Sequence, residues 1–315
     1  MLLTVTLNPC VDYLLRVESM VPNDTNRVQR SEKDAGGKGL NTSRVYAHLR
    51  GVTIATGFLG GATAAFIRHV MKEENVLDGF VYVEGETRTN FSVEDESGNP
   101  PTTFNQKGPT ISPGKWLALK EKVGMLAVKA EWVSFGGSLP PGVETTAFHD
   151  LALIAREKGS RIVVDADGAV LSESLKAMPD FIKPNTPEAS RVLGRPLVTD
   201  DDVIQASRDL YEKIGGGNRY AVISRGEKGA VMTCALGTFV GLSPQVKPLS
   251  TIGSGDSMVA GMLWALGQGK PADEALKWGL AAGAATALTD GSAIGDRATI
   301  ERLLSEADVF AAPLS

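Results

Sequence analysis

Short apolar runs alternate with longer amphipathic stretches from residue 112 to residue 224, and this rhythm restricts the fold more than any other feature. The runs at 132–135, 161–164, 180–183 and 220–224 are rich in Val, Ile and Phe, as strands covered on both faces must be. The stretches at 112–128, 144–158, 186–194 and 201–214 carry helical spacing. Strands joined through helices run parallel, so the expected class is α/β: a three-layer sandwich with a mostly parallel central sheet and helices on both faces. The same pattern opens the chain, with strands at 2–8, 52–58 and 80–83 and helices ending near residues 49 and 73. Residues 229–241 read as an antiparallel pair, and 272–289 as a helix whose small residues suit close packing.

Two stretches break the rhythm. Residues 12–18 form a strand candidate followed by a charged segment to Asp34, and alternating runs at 89–94 and 102–105 flank Ser97-Gly98-Asn99-Pro100 as a hairpin. Together, at about 12–34 and 87–110, they read as a small β lid inserted in a single α/β domain spanning residues 1–315. A net charge of -5 disfavours a nucleic-acid partner, because phosphate backbones attract basic faces. Cys10 and Cys234 make neither a metal-ligand spacing nor a disulfide framework. With no signal-like leader and no apolar run of membrane-spanning length, a cytoplasmic protein is expected.

The stretch Ser250-Thr251-Ile252-Gly253-Ser254-Gly255-Asp256-Ser257-Met258 carries the strongest chemical signal. It turns a polar loop into a buried helix, and the first amides of a helix have no internal partner, so such a turn can hold an anion. A carboxylate beside it, Asp256, can accept a proton from an attacking hydroxyl while the amides stabilise a transferring phosphate. The simpler reading makes Asp256 a helix-start residue and no more. Gly36-Gly37-Lys38-Gly39 with Asn41 brings close backbone approach, positive charge and an amide to one turn, which suits a phosphorylated polyol; its simpler reading is a tight turn with Lys38 in solvent. Asp12 follows the first strand, where open α/β sheets bind ligands, and can instead be an exposed turn residue. In Lys183-Pro184-Asn185-Thr186-Pro187-Glu188, Asn185 and Glu188 have the spacing of a capping box; the functional reading places them by a hydrated Mg²⁺ and Lys183 by nucleotide phosphates. Ser224-Arg225-Gly226-Glu227-Lys228-Gly229 is either a plain glycine turn or a backbone cradle for a nucleotide. Arg88, with Arg27 or Lys38, can clamp a phosphate. His48, His69 and His149 have no partner pattern and read as packing or surface residues, while the glycine clusters match neither the dinucleotide fingerprint nor the P-loop.

Taken in order, these motifs resemble the PfkB (ribokinase-like) sugar kinases over essentially the whole chain. The resemblance rests on Thr6-Leu7-Asn8-Pro9-Cys10-Val11-Asp12, the Gly36–Asn41 turn, Glu86-Thr87-Arg88-Thr89-Asn90 and Gly137-Ser138-Leu139-Pro140-Pro141-Gly142, together with the Lys183 and Ser250 motifs. Within the family the chain is most similar to the branch acting on ketohexose phosphates: 1-phosphofructokinase, tagatose-6-phosphate kinase and the minor 6-phosphofructokinase. The resemblance implies ATP and Mg²⁺, with Asp256 as general base and the amides around Gly253, Ser254 and Gly255 as anion hole. It further implies sugar contacts from Asp12, Gly37, Lys38, Asn41 and Ser138, and phosphate contacts from Arg88 with Lys38 and Arg27. Lys183, Asn185, Ser224, Gly226 and Gly229 fall on the ATP side, and Glu188 and Asn185 on the Mg²⁺ side, through water. Relatives pair through their β lids, so a homodimer is implied. Two departures stand out: Asp165-Ala166-Asp167-Gly168 stands where relatives commonly show Asp-Ser/Thr/Cys-Ser-Gly, losing two small side chains and gaining a carboxylate, and Arg225 stands where an apolar residue is common. Thr103-Phe104-Asn105-Gln106-Lys107-Gly108-Pro109 favours fructose 1-phosphate as substrate, whereas Asn26-Arg27-Val28 and the Gly-Ser-Gly turn favour tagatose 6-phosphate. Fructose 1-phosphate is the expected substrate, with tagatose 6-phosphate and fructose 6-phosphate as alternatives. A non-catalytic sugar-phosphate-binding regulator is the reading from another class, supported only by the altered 165–168 run.

Overall fold

The computed structural model describes residues 1–97 and 101–312, so the tip of the 89–105 hairpin lies outside the described residues. Leu2–Thr6, buried at every position, lies inside the main sheet and pairs in parallel with Thr53–Leu59 and Trp132–Gly136. The parallel order continues from Trp132–Gly136 through Arg161–Asp165 and Phe181–Ile182 to Tyr220–Ser224. Beyond that strand the sheet turns antiparallel, through Ala230–Cys234, Gly237–Leu242 and Asp308–Ala311. The expected α/β class is therefore what forms, with the C-terminal edge strand Asp308–Ala311 added.

Helices cover both faces. Leu119 and Val123 of Pro113–Ala127, Phe148 and Leu151 of Ala147–Glu157, and Leu210 of Asp200–Lys213 share one core with one face of the sheet. Val45 of Lys38–His48, Met258 and Met262 of Ser254–Gly267, and Leu276 of Ala272–Ala287 belong to the other. The last two helices approach closely because they meet through glycines: a Cβ on Gly261 would stand 2.5 Å from the Trp278 carbonyl oxygen. Cys10 and Cys234 are both buried, one at the root of the lid and one in the antiparallel edge. Among the described residues no helix is long and apolar enough to cross a membrane.

The lid is a separate four-stranded sheet, in the order Val28–Gly36, Cys10–Val17, Arg88–Glu94, Thr102–Asn105. Val28–Gly36 is a strand where the sequence shows only a charged segment. Its first four residues are exposed and it carries Glu32, Lys33 and Asp34, so no alternation of apolar and polar side chains marks it. Ion pairs tie the lid to the body: Arg16 pairs with Asp290, and Arg44 reaches Asp34 at 2.9 Å. The C-terminal edge of the parallel strands, where open α/β sheets bind their ligands, faces the lid root. Gly136, Asp165, Lys183 and Ser224 all stand at or just past strand ends there.

Candidate active site

Gly253 precedes the helix Ser254–Gly267 with φ 76°, a left-handed conformation that glycine adopts without strain. The first internal bond of this helix runs from the Ser257 amide to the Gly253 carbonyl at 2.9 Å, so the Gly255 and Asp256 amides precede the regular ladder. Asp256 is only 8 % exposed. Its Oδ2 accepts a 2.8 Å hydrogen bond from Asn41 Nδ2, and Thr42 Oγ1 donates to its backbone carbonyl at 3.3 Å. Burial, then the neighbouring Asp165 carboxylate, pushes the Asp256 pKa up to about 6, against the pull of Lys38, Asn41 and Lys183. Asn41 Oδ1 and Ser254 Oγ are buried without a protein partner, which leaves an acceptor and a hydroxyl for a ligand.

Lys38 opens its helix directly after Gly37, whose φ of 126° is closed to most side chains and whose Cβ would meet Thr6 at 2.9 Å. The Lys38 ammonium pairs with Asp165 Oδ1 at 2.7 Å, and Lys183 Nζ lies 3.4 Å from Asp165 Oδ2. Burial works against the charge on Lys38, yet Asp165 and Asp256 outweigh it and raise its pKa. Asp165 is the mirror case: burial would raise its pKa, and Lys183 and Lys38 hold it below the usual carboxylate range.

Asn185 and Glu188 do form the capping box: Asn185 Oδ1 accepts from the Glu188 amide at 2.9 Å, and Glu188 Oε2 from the Asn185 amide at 2.7 Å. Both also line a cavity of about 670 Å³, so capping and ligand binding are not exclusive here. Lys38, Lys183, Ser224, Gly226, Gly229, Ser254, Gly255 and Asp256 border the same cavity. Pro244, Val246, Gly279 and Gly283, to which the sequence assigns no ligand role, also line it. The 272–289 helix reads in the sequence as a close-packing element and the segment before Ser250 as a polar loop; nothing in either marks a ligand.

A second cavity of about 180 Å³ lies between the lid and the body, lined by Asp12, Asn90, Asn105, Ile252 and Gly291 among others. Asn90 Nδ2 donates to Asp12 Oδ1 at 3.0 Å, and Asn90 was another residue left unassigned. Ser138 and Arg88 meet around Asn8: Asn8 Nδ2 donates to Ser138 Oγ at 3.3 Å, and Arg88 Nε donates to the Asn8 carbonyl at 3.1 Å. Arg27 is the exception. It is exposed and precedes Val28, at the far end of a hairpin whose root pairs Cys10 with Gly36. Seven strand steps separate the two ends (Cys10 to Val17), roughly 23 Å, so a single chain does not bring Arg27 to Arg88 or Lys38.

The two departures find structural partners. Asp167 caps the helix Gly168–Leu175 and makes a two-pronged pair with Arg191 at 2.7 and 2.8 Å, outside the cavity. Arg225 pairs with Asp200, which neutralises the extra charge. His48 has a defined packing role, with Nε2 2.9 Å from Glu74. Among the described residues no group of three or more His, Cys, Asp or Glu side chains forms a metal cage. One partly committed carboxylate, Glu188, suits an ion that keeps most of its waters, as Mg²⁺ does.

A 1-phosphofructokinase of Bacillus subtilis is 31% identical over 309 residues, covering 98% of this chain and 99% of its own. A tagatose-6-phosphate kinase of Staphylococcus epidermidis is 32% identical, covering 88% and 89%. The crystal structure of phosphofructokinase-2 from Escherichia coli in complex with substrates and products superposes with a TM-score of 0.91 at 30% identity, covering 96% of this chain and 98% of that one. Residues 5–298 match the profile of the pfkB family carbohydrate kinases, and the chain belongs to that family.

Proposed function

We propose that this kinase transfers the γ-phosphoryl group of ATP to a primary hydroxyl of a ketohexose monophosphate, with fructose 1-phosphate giving fructose 1,6-bisphosphate as the preferred reaction. The observation that carries the reading is a buried carboxylate, Asp256, at the amide end of a helix, bordering a cavity that Lys38 and Lys183 also line. With a pKa of about 6, Asp256 is mostly ionised at neutral pH and still basic enough to take a proton. It accepts the proton of the attacking hydroxyl as the oxygen bonds to the γ phosphorus and the bond to the ADP oxygen breaks. The amides that follow Gly253 face the developing charge, and Lys183 adds a cation beside Gly255. Asn185 and Glu188 would hold Mg²⁺ through water, and the ion would offset charge on the nucleotide phosphates.

On this reading ATP occupies the larger cavity along Ser224, Gly226 and Gly229. The sugar sits towards Asp12, Gly37, Asn41 and Ser138, where the unpartnered Asn41 Oδ1 fits a hydroxyl. Arg88 takes the existing phosphate, whereas the Lys38 ammonium, held by Asp165 on the larger cavity, faces the transferring one. Arg27 joins Arg88 only from a second copy, which supports a homodimer paired through the lids; Val28 and Phe104, 48% and 54% exposed on the lid, give such a pairing apolar area. The chain then works as one cytoplasmic α/β kinase domain with the lid inserted in it. ADP release should be measured in parallel with fructose 1-phosphate, fructose 6-phosphate and tagatose 6-phosphate, with and without Mg²⁺. A metal-dependent preference in kcat/KM for fructose 1-phosphate supports the full reading. Preference for another sugar replaces the substrate, and binding without turnover on all three overturns the kinase.

A further inference from the structure

Asp165 has no part in the steps above, yet it is among the most confined side chains of the larger cavity, 6% exposed at the end of the strand Arg161–Asp165. Its two oxygens face two ammonium groups from separate elements, Lys38 at 2.7 Å and Lys183 at 3.4 Å. Neither lysine pairs with any other carboxylate among the described residues. Lys183 Nζ lies 3.2 Å from the point where a Cβ on Gly255 would stand, so it overhangs the turn before Asp256. A free lysine samples many rotamers, and two ammonium groups this close repel each other unless a counter-charge sits between them. Electrostatic catalysis depends on charges that are in place before the reaction.

We propose that Asp165 is a positioning residue whose single carboxylate ties Lys38 to Lys183, so that both ammonium groups face the gap between Asp256 and the Gly253–Gly255 turn before substrate arrives. The proposal rests on the reading that phosphoryl transfer takes place in this cavity. Asp165 also places a negative charge near Asp256. The other groups acting on that carboxylate are Lys38, Lys183 and Asn41, with Glu188 also within electrostatic reach of Lys38.

The test compares Asp165→Asn with Asp167→Asn, a change in the same run but at a residue that faces Arg191 outside the cavity. For Asp165→Asn we expect kcat to fall about 30-fold and KM for both substrates to rise about tenfold, as loosened charges lose preorganisation. The acid limb of its pH profile should move to lower pH, because Asp256 loses a like-charged neighbour and keeps two cations. In metal-free protein without substrate, the ¹³C signal of the Lys38 side chain should titrate at lower pH than in the wild type. Asp167→Asn should leave kcat, KM and the acid limb unchanged, and should move the Lys38 titration less than Asp165→Asn does, because its half-exposed carboxylate acts on Lys38 only from a distance. Wild-type kinetics and an unmoved Lys38 titration in Asp165→Asn overturn the proposal. So does lost activity with the acid limb and the Lys38 titration both unmoved, which marks a merely structural residue. Should Asp165→Asn not fold, Asp165→Glu keeps the charge and displaces it by one methylene; a tenfold loss of kcat supports the tie and wild-type kinetics overturn it. If the wild type itself phosphorylates no sugar, the proposed function fails, while the Lys38 titration still decides whether the tie exists.

Discussion

Replacing Asn41 with leucine removes one hydrogen bond to Asp256 and keeps the branched shape and the number of heavy atoms. The side chain is 5% exposed, its 2.8 Å bond goes to a carboxylate, and Thr42 still holds the Asp256 backbone. Hydrogen bonds to charged groups contribute about 1.5–3 kcal/mol, and only the difference between the two protonation states moves a pKa. Taking about 1.4 kcal/mol for that difference gives a shift of about one unit. The sign is upward, because the Asn41 amide favours the ionised form that leucine cannot serve. The ionised fraction of Asp256 at pH 6 then falls from about one half to about one tenth, whereas at pH 8 both proteins exceed about nine tenths. The expected result is a variant whose kcat/KM deficit is about fivefold larger at pH 6 than at pH 8. Initial rates across pH 5–9, in buffers of constant ionic strength, measure it directly. Loss of a sugar contact at Asn41 lowers the whole curve equally and leaves this ratio untouched. A pH profile parallel to the wild type would refute the role given to the hydrogen bond, and an acid limb displaced downward would refute its sign.

Asp256→Asn should fold and lose about 10²–10⁴ in kcat, the usual share of a general base; retained turnover would remove Asp256 from that role. Because burial raises the Asp256 pKa, its ionised form opposes folding as pH rises from about 4 to 6, so the variant should be no less stable than the wild type in urea at pH 7. Glu74 behaves in the opposite way. Burial alone would raise its pKa, but His48 and Arg44 bring it down to about 2, so its contribution is present above the unfolded value of about 4.5 and is lost as pH falls towards 2. Glu74→Gln should therefore cost about 2–3 kcal/mol at pH 7 and much less at pH 3, read from urea midpoints at the two pH values. Arg27→Ala should raise KM for the sugar phosphate by about tenfold, and mixing it with Asp256→Asn subunits should restore part of the activity if Arg27 acts across the lid pair.

The motifs that could be read from sequence are those whose chemistry is local. Gly253 to Asp256 spans a single helix turn, and the capping box of Asn185 and Glu188 needs only a spacing of three. The parallel core strands announce themselves because burial on both faces demands continuous apolar runs. What escaped is set by partners distant in sequence. The Lys38–Asp165 pair joins residues 127 positions apart, and the Asn90–Asp12 bond joins residues 78 apart. Neither carboxylate looks different from a solvated one until its strand end is placed. Arg27 shows the converse: nothing in its local sequence reveals the hairpin register that puts it at the far end, away from Arg88 and Lys38 within one chain. The lid strand Val28–Gly36 escaped because its first residues are exposed and its middle is charged, so the period-two alternation of a half-buried strand is missing.

The two buried cysteines have a practical use. Burial raises the pKa of each thiol, at Cys10 well above its ordinary value with Asp12 adding to the effect, so neither offers an accessible thiolate to a maleimide near neutral pH. The native chain is in effect blank to thiol-directed dyes. A single exposed cysteine, such as Val21→Cys on the lid where the native side chain is 48% exposed, would take a fluorophore alone and report on the surroundings of the lid from one known position.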